Sequence, residues 1–549
     1  MNKNNLMELK VLIADDAPII LSSLRGMLIK LGFLDHNIFH TKSARACLFM
    51  ASREKFDVII CDYNFGKGLN GKQVFEEFKH YNLLKDDAVF IVITAESSSL
   101  IVRSILELMP DEYILKPINI IQLQQRLALS LHRKKVLLSL YVAEKSQEYK
   151  QGVVACDELA PFFPEYYLTI QKFKGTFLRR LKLYNEAKDV YEKTLETKSV
   201  DWAKIGLANV FMHTGNKVEA FNVLNELLAK SPNNINARVE AANLSIMNKD
   251  IPQAIIHLKA ANKLVPEHSE RELVISNLCV SVGDYTCALE RYRVYMEINK
   301  ETYRNNIFSR FNLTRLLLYT ARNKDGIERE RLLHEARFMI KDCFAEDQKE
   351  KFKPQIELLV AHLSMEDKKF VEAIEILNAL YKTKPFVHFY DRFHFCWLLN
   401  VMSYDAEFSK SIRWCNESLV ANEAEIIMSS KIEMAKALNN TNIEKQKWLE
   451  NMYRSIHRQK DNIQAMLNIY IVIIRRCPTL RAVALKIVMI LSRSLPNGMP
   501  LDHTRQLLDH CDKMIRQLMT DKEQDDINYE RIYERAVHMV DTDLQLMKS

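Results

Sequence analysis

The pattern of apolar and polar positions along the chain changes near residue 134. Before that point, four short stretches have an unbroken apolar centre, in most of them with β-branched residues: KVLIADD, FDVIICD, AVFIVITA and DEYILKP. Such runs predict strands that are covered on both faces, as in a parallel sheet. Helical periodicity fills the gaps, at residues 19–31, 43–52, 72–80, 100–108 and 119–133. Residues 1–133 are therefore predicted to form a doubly wound parallel α/β domain.

After residue 134 the pattern predicts one helix after another, and small residues recur at a fixed spacing. Ala220, Ala254 and Ala288 are 34 residues apart, and Pro232 and Pro266 close two of the units at the same spacing. Small residues at a fixed period are expected where paired helices approach closely, and 34 residues is the length of a tetratricopeptide repeat. Residues 168–420 thus resemble the tetratricopeptide repeat (TPR) family, which implies an α-solenoid that binds protein.

The two patterns divide the chain into four predicted segments. The α/β domain (1–133) precedes a helical linker (134–167), the TPR-like repeats (168–420) and a C-terminal helical region (421–549) that caps or continues the solenoid. One later repeat unit is predicted to have an expanded turn at NKDGIERER. The predicted fold class is α/β plus all-α.

The composition favours a folded protein of several domains. Of the 549 residues, 48% are hydrophobic and 27% are charged,. The ten cysteines include no C-x-x-C pair, so neither a zinc site nor a disulfide framework is indicated, and a reducing compartment is expected,. The first residues lack an apolar leader, and the longest strongly apolar stretch, residues 469–474, is too short to cross a bilayer,. We therefore expect a cytoplasmic protein without membrane insertion.

The charge distribution argues against nucleic acid as a partner. The formal net charge of +7 is carried beyond residue 130, because basic and acidic residues balance before it. Over so long a segment the excess is mild, and no dense run of Lys and Arg stands out,.

Acidic residues lie at the ends of two predicted strands. Asp15 and Asp16 follow VLIA, and Asp62 follows VIIC. The carboxyl ends of the strands in a doubly wound sheet meet at one crevice, where such folds bind ligands. Converging carboxylates repel one another unless a cation joins them, and Mg²⁺ prefers oxygen ligands and bridges to phosphate groups. The three residues therefore predict a Mg²⁺ site.

Two further predicted strands end in groups that bind anions. Thr94 ends VFIVIT, and Lys116 ends YILK directly before Pro117. A hydroxyl and an ammonium in the same crevice are placed to bind phosphoryl oxygens. With a carboxylate as nucleophile and a metal that neutralises charge, these residues predict a site for phosphoryl transfer. One acidic strand end or one Lys-Pro turn is common without function, so the coincidence of all these positions carries the prediction.

The motifs ADD, ICDYN, ITA and YILKP occur in the order and at the separations of the response-regulator receiver family, which residues 8–130 resemble. The resemblance implies a five-stranded, flavodoxin-like fold and makes Asp62 the phosphoacceptor. It also implies that Thr94 and Lys116 bind the phosphoryl group and that Thr94 and Tyr113 form the conformational switch. The loop after Asp62, DYNFGKGLNG, departs from the family because it lacks the frequent Met-Pro and is one residue longer. This difference affects the choice of partner or the rate of dephosphorylation rather than the chemistry.

The same resemblance implies the metal ligands. Asp15, Asp16 and Asp62 hold Mg²⁺ together with the backbone carbonyl of Asn64. No other cofactor is implied.

The leading hypothesis is a two-component response regulator. A sensor histidine kinase phosphorylates Asp62, and the TPR array binds a protein in response, another response regulator or the kinase itself being candidates. The chain then acts as a phosphorylation-gated adaptor or inhibitor, in an arrangement similar to that of VieB-like regulators. No P-loop or nucleophile-elbow motif indicates a catalytic output domain, so only the receiver's own phosphoryl transfer and dephosphorylation are expected.

Two alternatives stay open. In the first, the C-terminal region hides a DNA-binding helix-turn-helix, although its mixed charges, as in DKEQDDINYERIYER, do not resemble a basic recognition helix,. In the second, the receiver is a phosphate sink that drains a shared kinase, and the repeats only dock that kinase.

Overall fold

The computed structural model describes residues 6–66, 68–345, 349–419, 424–496 and 500–548. The chain forms two compact units, one of Met1–Ile275 with Val294–Asn305 and the other of Ser276–Arg293 with Asn306–Ser549. The first unit contains the α/β domain, the helical region up to residue 275 and residues 294–305, and the second unit contains the rest of the helical region.

Five parallel strands form one sheet in the order β2-β1-β3-β4-β5. The strands are β1 (Val11–Ala14), β2 (Ile38–Thr41), β3 (Val58–Asp62), β4 (Val89–Thr94) and β5 (Glu112–Leu115). The helices that alternate with them are α1 (Pro18–Leu31), α2 (Ala44–Arg53), α3 (Gly71–His80), α4 (Ser99–Glu107) and α5 (Ile120–Val136). The predicted doubly wound parallel fold is confirmed. In this topology the crevice opens at the carboxyl ends of β1 and β3, where the strand order reverses.

Helices cover both faces of the sheet, so β1, β3 and β4 are buried along their whole length. Successive side chains of a strand point to opposite faces. Leu12 and Phe90 therefore pack with residues of α2, α3 and α4, whereas Ile13 and Ile91 pack with residues of α1 and α5. Burial on both faces explains the near-continuous apolar runs of these three strands. The same prediction is wrong for β5, an edge strand in which Glu112 and Tyr113 are half-buried and Leu115 is exposed.

The edge strand β2 was not among the four runs that predict strands. Its ends, Ile38 and Thr41, are buried, but Phe39 is half-buried and His40 is exposed. A four-residue edge strand with this burial has no continuous apolar run, so the sequence pattern does not reveal it,.

After α5, the described part of the chain is a long all-helical region, with one 3-10 turn at Pro164–Tyr166. Its helices are α6 (Leu138–Ser146), α7 (Tyr149–Leu159), α8 (Tyr167–Arg180), α9 (Tyr184–Thr197), α10 (Asp201–His213), α11 (Lys217–Lys230), α12 (Ile235–Met247), α13 (Ile251–Leu264), α14 (Ser269–Ser281), α15 (Tyr285–Ile298), α16 (Ile307–Arg322), α17 (Gly326–Phe344), α18 (Lys353–Glu366), α19 (Phe370–Thr383), α20 (Phe389–Val401), α21 (Asp405–Glu417), α22 (Glu425–Arg458), α23 (Ile463–Arg476), α24 (Arg481–Leu491), α25 (Leu501–Leu518), α26 (Asp521–Asp526) and α27 (Tyr529–Lys548).

The segment predicted as a linker forms α6 and α7, and these helices have a packed core. Leu140 and Cys156 are buried and cluster with Ile170 and Phe177 of α8. A Cβ atom at Gly152 would lie 2.5 Å from the Phe177 ring, so α7 and α8 approach too closely for a larger residue there. The segment is therefore packed helix rather than extended chain.

Small residues lie at the buried positions of the predicted repeats. Ala220, Ala254 and Ala288, which define the 34-residue spacing, are fully buried. A Cβ atom at Gly175 would lie 2.5 Å from the Tyr191 ring. The 34-residue spacing thus coincides with positions that have little room for a larger side chain. Membership of the TPR family stays a prediction.

The expanded turn predicted at NKDGIERER is wrong. Helix α16 ends at Arg322 and α17 begins at Gly326, so the turn is short and the additional residues lengthen α17 to 19 residues. Glu and Arg are good helix formers, and a highly charged stretch on an exposed helix was mistaken for a loop.

The C-terminal region contains a helix of a different kind from the paired helices before it. Helix α22 has 34 residues, which corresponds to a length of about 50 Å at 1.5 Å per residue,. Beyond it, α24, α25 and α27 pack against one another. Among the residues that the structure describes, none of the helices has both the length and the apolar character needed to span a bilayer.

We expect Ala254→Trp to destabilise the helical region, because a fully buried position has no room for an indole ring. Overpacking of this kind costs about 1–3 kcal/mol or more, and the damage should start locally because repeats contact mainly their neighbours. Thermal unfolding followed by circular dichroism measures the effect. The matched control is Ala229→Trp on the exposed face of α11, and equal melting temperatures for the two variants would contradict the prediction.

Candidate functional site

Three carboxylates meet at the carboxyl ends of β1 and β3. Asp15 and Asp16 follow β1, Asp62 is the last residue of β3, and each offers an oxygen within 4.8 Å of the other two. Asp15 and Asp62 are buried, whereas Asp16 is exposed. Backbone amides hold the buried carboxylates, because Ala17 N–H donates to Asp15 at 2.9 Å and Tyr63 N–H donates to Asp62 at 3.0 Å. The structure therefore brings the three predicted acidic residues together.

Lys116 follows β5 and reaches into this cluster. Its Nζ atom lies 2.8 Å from Oδ2 of Asp15 and 3.0 Å from Oδ1 of Asp62. Its backbone N–H donates to the Thr94 carbonyl at 2.8 Å, which joins the ends of β5 and β4. The peptide bond from Lys116 to Pro117 is cis.

Burial and charge act in opposite directions on the two central groups. Burial raises the pKa of the Asp62 carboxyl, and the neighbouring Lys116 ammonium opposes that rise. Burial lowers the pKa of Lys116, but its hydrogen bonds to Asp15 and Asp62 outweigh burial, so the pKa lies above its usual value. Lys116 therefore stays protonated at neutral pH, as a donor to an anion must be.

The two residues predicted as a switch both bind Glu96. The Thr94 side chain is buried, and its Oγ1 atom accepts a hydrogen bond from the Glu96 N–H at 2.9 Å. The half-buried Tyr113 donates its hydroxyl proton to the Glu96 carbonyl at 3.3 Å. A turn of the Thr94 hydroxyl thus affects the loop between β4 and α4, which Tyr113 also holds.

Asn64 lies in the loop after β3, where its Oδ1 atom accepts from the Gly66 N–H at 2.9 Å.

The donor set fits a hard divalent cation. The three aspartates offer only oxygen atoms, and Mg²⁺ is usually held by one or two carboxylates together with waters and phosphate oxygens,. The exposed side chain of Asp16 leaves the solvent side of the cluster open to such ligands. Asp15, Asp16 and Asp62 therefore suit Mg²⁺, and the Asn64 carbonyl stays a predicted further ligand.

The first residue of α3 packs directly on the backbone of Asp62. A Cβ atom at Gly71 would lie 2.3 Å from the Asp62 carbonyl oxygen and 2.8 Å from Cα of Tyr63. The Gly71 N–H also donates to the Tyr63 carbonyl at 2.7 Å. Because the obstructing atoms are backbone atoms, a side chain at this position requires the end of β3 or the start of α3 to move.

We expect Gly71→Ala to destabilise the α/β domain by about 1–3 kcal/mol, the usual cost of forcing extra atoms into a packed site. The displaced backbone should also slow modification of Asp62 by acetyl phosphate. The matched control is Gly26→Ala in α1, where a new Cβ would meet nothing within 4 Å and helix propensity should improve,. Thermal unfolding of both variants checks the prediction, and a Gly71→Ala variant as stable as Gly26→Ala would show that the site yields easily.

Helix α3 and the end of α4 contact the helical region inside the first compact unit. We call this surface the docking face. Its partners are the turn between α13 and α14 with the first turn of α14, and the end of α15 with the chain that follows it. Side chains of α3 bind the backbone there: Lys72 donates to the Glu267 carbonyl at 3.1 Å, Gln73 donates to the Ile298 carbonyl at 2.9 Å, and Glu77 accepts from the Tyr303 N–H at 2.7 Å. His80 stacks on the Tyr303 ring with centroids 3.5 Å apart.

Ion pairs also cross the docking face. Glu76 of α3 lies 2.6 Å from Arg304, and Glu107, the last residue of α4, pairs with Arg271 of α14. The Arg271 side chain is only 4% exposed, and its guanidinium also donates to the Val265 carbonyl at 2.7 Å. The sequence gives no signal for these pairs, because partners 164 or 228 positions apart belong to different periodic patterns.

Comparisons with known proteins identify the N-terminal α/β domain. Residues 11–128 match the family model of the response regulator receiver domain. No curated protein sequence matches the chain. Similar solved structures include the receiver domain of a putative Luxo repressor protein from Vibrio parahaemolyticus, with 22% identity over 23% of this chain and 93% of that chain and a TM-score of 0.21. A Francisella receiver domain is also similar, with 23% identity over 23% of this chain and 98% of that chain and a TM-score of 0.21. A CheY-like receiver domain protein from Methanospirillum hungatei has 25% identity over 23% of this chain and 98% of that chain, with a TM-score of 0.21.

The N-terminal part of the chain is thus a receiver domain, a module of two-component signalling, and a long all-helical region follows it.

Proposed function

We propose that this chain is a two-component response regulator whose TPR-like helical region acts as a phosphorylation-gated adaptor. A sensor histidine kinase phosphorylates Asp62. The observation that carries the proposal is the position of α3, which begins against the Asp62 backbone at Gly71 and then contacts the helical region through Lys72, Gln73 and Glu77. Helix α3 therefore connects the phosphoacceptor at the end of β3 with the surface that contacts the helical region.

The side chains of the crevice have distinct roles in this proposal. The Asp62 carboxylate is the nucleophile, and one of its oxygens attacks the phosphorus of the phosphodonor. The bond between that phosphorus and the donor breaks, and the donor leaves with the bonding electron pair. Lys116, held between Asp15 and Asp62, donates to an oxygen of the transferred group, and the Thr94 hydroxyl donates to another,. Asp15, Asp16 and Asp62, together with the Asn64 carbonyl, would hold Mg²⁺, which would neutralise the negative charge that accumulates there,.

Phosphorylation reaches the docking face by two routes. Thr94 leaves its hydrogen bond with the Glu96 N–H when it turns to the phosphoryl group, and this frees the loop before α4, which Tyr113 also binds. Helix α4 ends at Glu107, whose partner is Arg271. The second route is the Asp62 backbone, because any shift there displaces Gly71 and α3.

The partner of the gated array is a protein, with another response regulator or the kinase itself as candidates. A coupling free energy of about 1–3 kcal/mol between the phosphoryl group and the array changes partner affinity roughly 5- to 150-fold. Such coupling requires that the two receiver states contact the array differently. The docking face supplies a contact on which this difference can act.

Hydrogen exchange of the full chain tests the gate without knowledge of the partner. Beryllofluoride with Mg²⁺ mimics the phosphoryl group on Asp62, and we expect it to increase amide exchange in α3 and near residues 265–271 and 298–304. The Asp62→Asn variant, which lacks the carboxylate, should show no response. A response confined to the crevice would contradict the gate and favour the phosphate-sink alternative.

A further inference from the structure

Two cysteine side chains lie next to each other at the turn between α14 and α15, within the second compact unit. The Sγ atoms of Cys279 and Cys287 are 2.9 Å apart. A disulfide bond is about 2.05 Å long, so a further approach of about 0.9 Å brings the two sulfur atoms to bonding distance. Cys279 is buried, whereas Cys287 is half-buried and therefore accessible to a small oxidant. The pair differs in this respect from the other eight cysteines, which are all buried.

The backbone of the turn fixes this approach. The Asp284 N–H donates to the Cys279 carbonyl at 2.9 Å, and the Cys287 N–H donates to Oδ1 of Asp284 at 3.0 Å. Gly283 between them has a φ of +78°, in the left-handed region that glycine adopts without strain,. The two thiols are therefore held together by the end of one helix and the start of the next.

The geometry favours a sulfur–sulfur bond over a metal. A carboxylate oxygen of Asp284 lies within 4.8 Å of both sulfur atoms, so the three residues also satisfy a simple criterion for a metal cluster. However, two sulfur ligands of tetrahedral zinc, at 2.3 Å from the metal, are about 3.8 Å apart. The Asp284 carboxylate already accepts from the Cys287 N–H and caps α15. Two sulfur atoms 2.9 Å apart, beside a carboxylate that already caps α15, form a poor zinc site.

We propose that Cys279 and Cys287 form a reversible disulfide when the chain meets a hydroperoxide. Cys287 lies in the first turn of α15 and is the more exposed of the two thiols, so it meets the peroxide first. Its sulfur attacks the outer peroxide oxygen, the O–O bond breaks, and the leaving oxygen takes a proton as water or an alcohol. Cys287 becomes a sulfenic acid.

The second step uses the neighbouring thiol. The Cys279 sulfur attacks the Cys287 sulfur, the S–O bond breaks, and the hydroxyl leaves with the Cys279 proton as water. The two sulfur atoms have then lost two electrons to the peroxide. A dithiol reductant restores both thiols by exchange. This modification of the helical region is independent of Asp62 phosphorylation.

Mass spectrometry of the full chain tests the proposal. The chain is treated with hydrogen peroxide, its remaining thiols are alkylated, and it is cleaved on the amino side of aspartate. Because Asp284 lies between the two cysteines, this cleavage separates them into two peptides that only a disulfide can join. We expect the joined peptides as the main oxidised product and their separation by dithiothreitol. Recovery of both peptides in alkylated form after peroxide treatment would overturn the proposal.

The chain contains a matched control pair. The Sγ atoms of Cys396 and Cys415 are 3.7 Å apart, but both residues are buried. We expect this pair to stay reduced in the folded chain, and equal oxidation of both pairs would show that peroxide acts on unfolded protein instead. In Cys279→Ser, a dimedone probe should label Cys287 as a trapped sulfenic acid. Labelling of Cys279 in Cys287→Ser to the same extent would contradict the assigned order of attack.

Discussion

Asp62→Asn should reduce phosphorylation of the full chain by acetyl phosphate to background. An amide oxygen is a far weaker nucleophile than a carboxylate oxygen, and covalent transfer requires that nucleophile. The substitution keeps the shape of the side chain, which is 5% exposed at the end of β3, so the fold should survive. Phosphorylation is measured by the mass of the intact protein in the presence of Mg²⁺, and circular dichroism confirms that the variant is folded.

The control for this experiment is the same chemical change at an exposed acid of the same domain. Asp87 lies on the surface between α3 and β4, so Asp87→Asn should be phosphorylated like the unchanged chain. Chelation of Mg²⁺ should abolish phosphorylation of the unchanged chain and of Asp87→Asn. Without the cation, Asp15, Asp16 and Asp62 repel the donor's phosphate,. Phosphorylation of the Asp62→Asn variant would mean that another residue is the phosphoacceptor.

The positions of the crevice residues could be predicted because they depend on the fold class more than on detailed packing. Once continuous apolar runs identify parallel strands, the rule that strand ends converge places Asp15, Asp62, Thr94 and Lys116 at one edge of the sheet. The structure places Lys116 within 3.0 Å of both Asp15 and Asp62. Sequence reasoning was sufficient here because each residue is fixed by the strand that it ends.

Elements without a periodic signal could not be predicted in this way. Strand β2 is short and lies at the sheet edge, so its half-exposed middle breaks the apolar run. The stretch predicted as an expanded turn instead begins α17, because its charged side chains are compatible with both loop and exposed helix,. The C-terminal region is a similar case, since the apolar pattern does not show that α22 continues unbroken for 34 residues.

The docking face is the feature that could least be predicted from the sequence. Lys72 and Gln73 look like ordinary exposed residues in the first turn of a helix, yet Lys72 is only 6% exposed and donates to the Glu267 carbonyl. Burial lowers the pKa of its ammonium. Such burial depends on which surfaces meet in three dimensions, and one sequence does not contain that information without the fold.

A double-mutant cycle on Glu107 and Arg271 should reveal a strong interaction across the docking face. Both side chains are largely buried, at 13% and 4% exposure. Removal of either one leaves the other charged and poorly solvated, whereas removal of both does not. We therefore expect Glu107→Ala and Arg271→Ala each to loosen the docking face, and the double variant to lose less than the sum. The interaction free energy should be about 1–3 kcal/mol.

The readout is amide exchange of Tyr303, whose N–H donates to Glu77 on the same face and is released only when that face opens,. An interaction of the expected size changes the exchange rate roughly 5- to 150-fold. The control cycle uses Arg25 and Asp35, an ion pair on the α1 side of the receiver with 38% and 59% exposure, where solvent screening should leave no measurable interaction,. If the face gates the array, Glu107→Ala should also exchange like the beryllofluoride-bound chain before any beryllofluoride is added. Unchanged Tyr303 exchange in both single variants would mean that Glu107 and Arg271 do not hold the face closed in solution, and the coupling between receiver and array would then need another path.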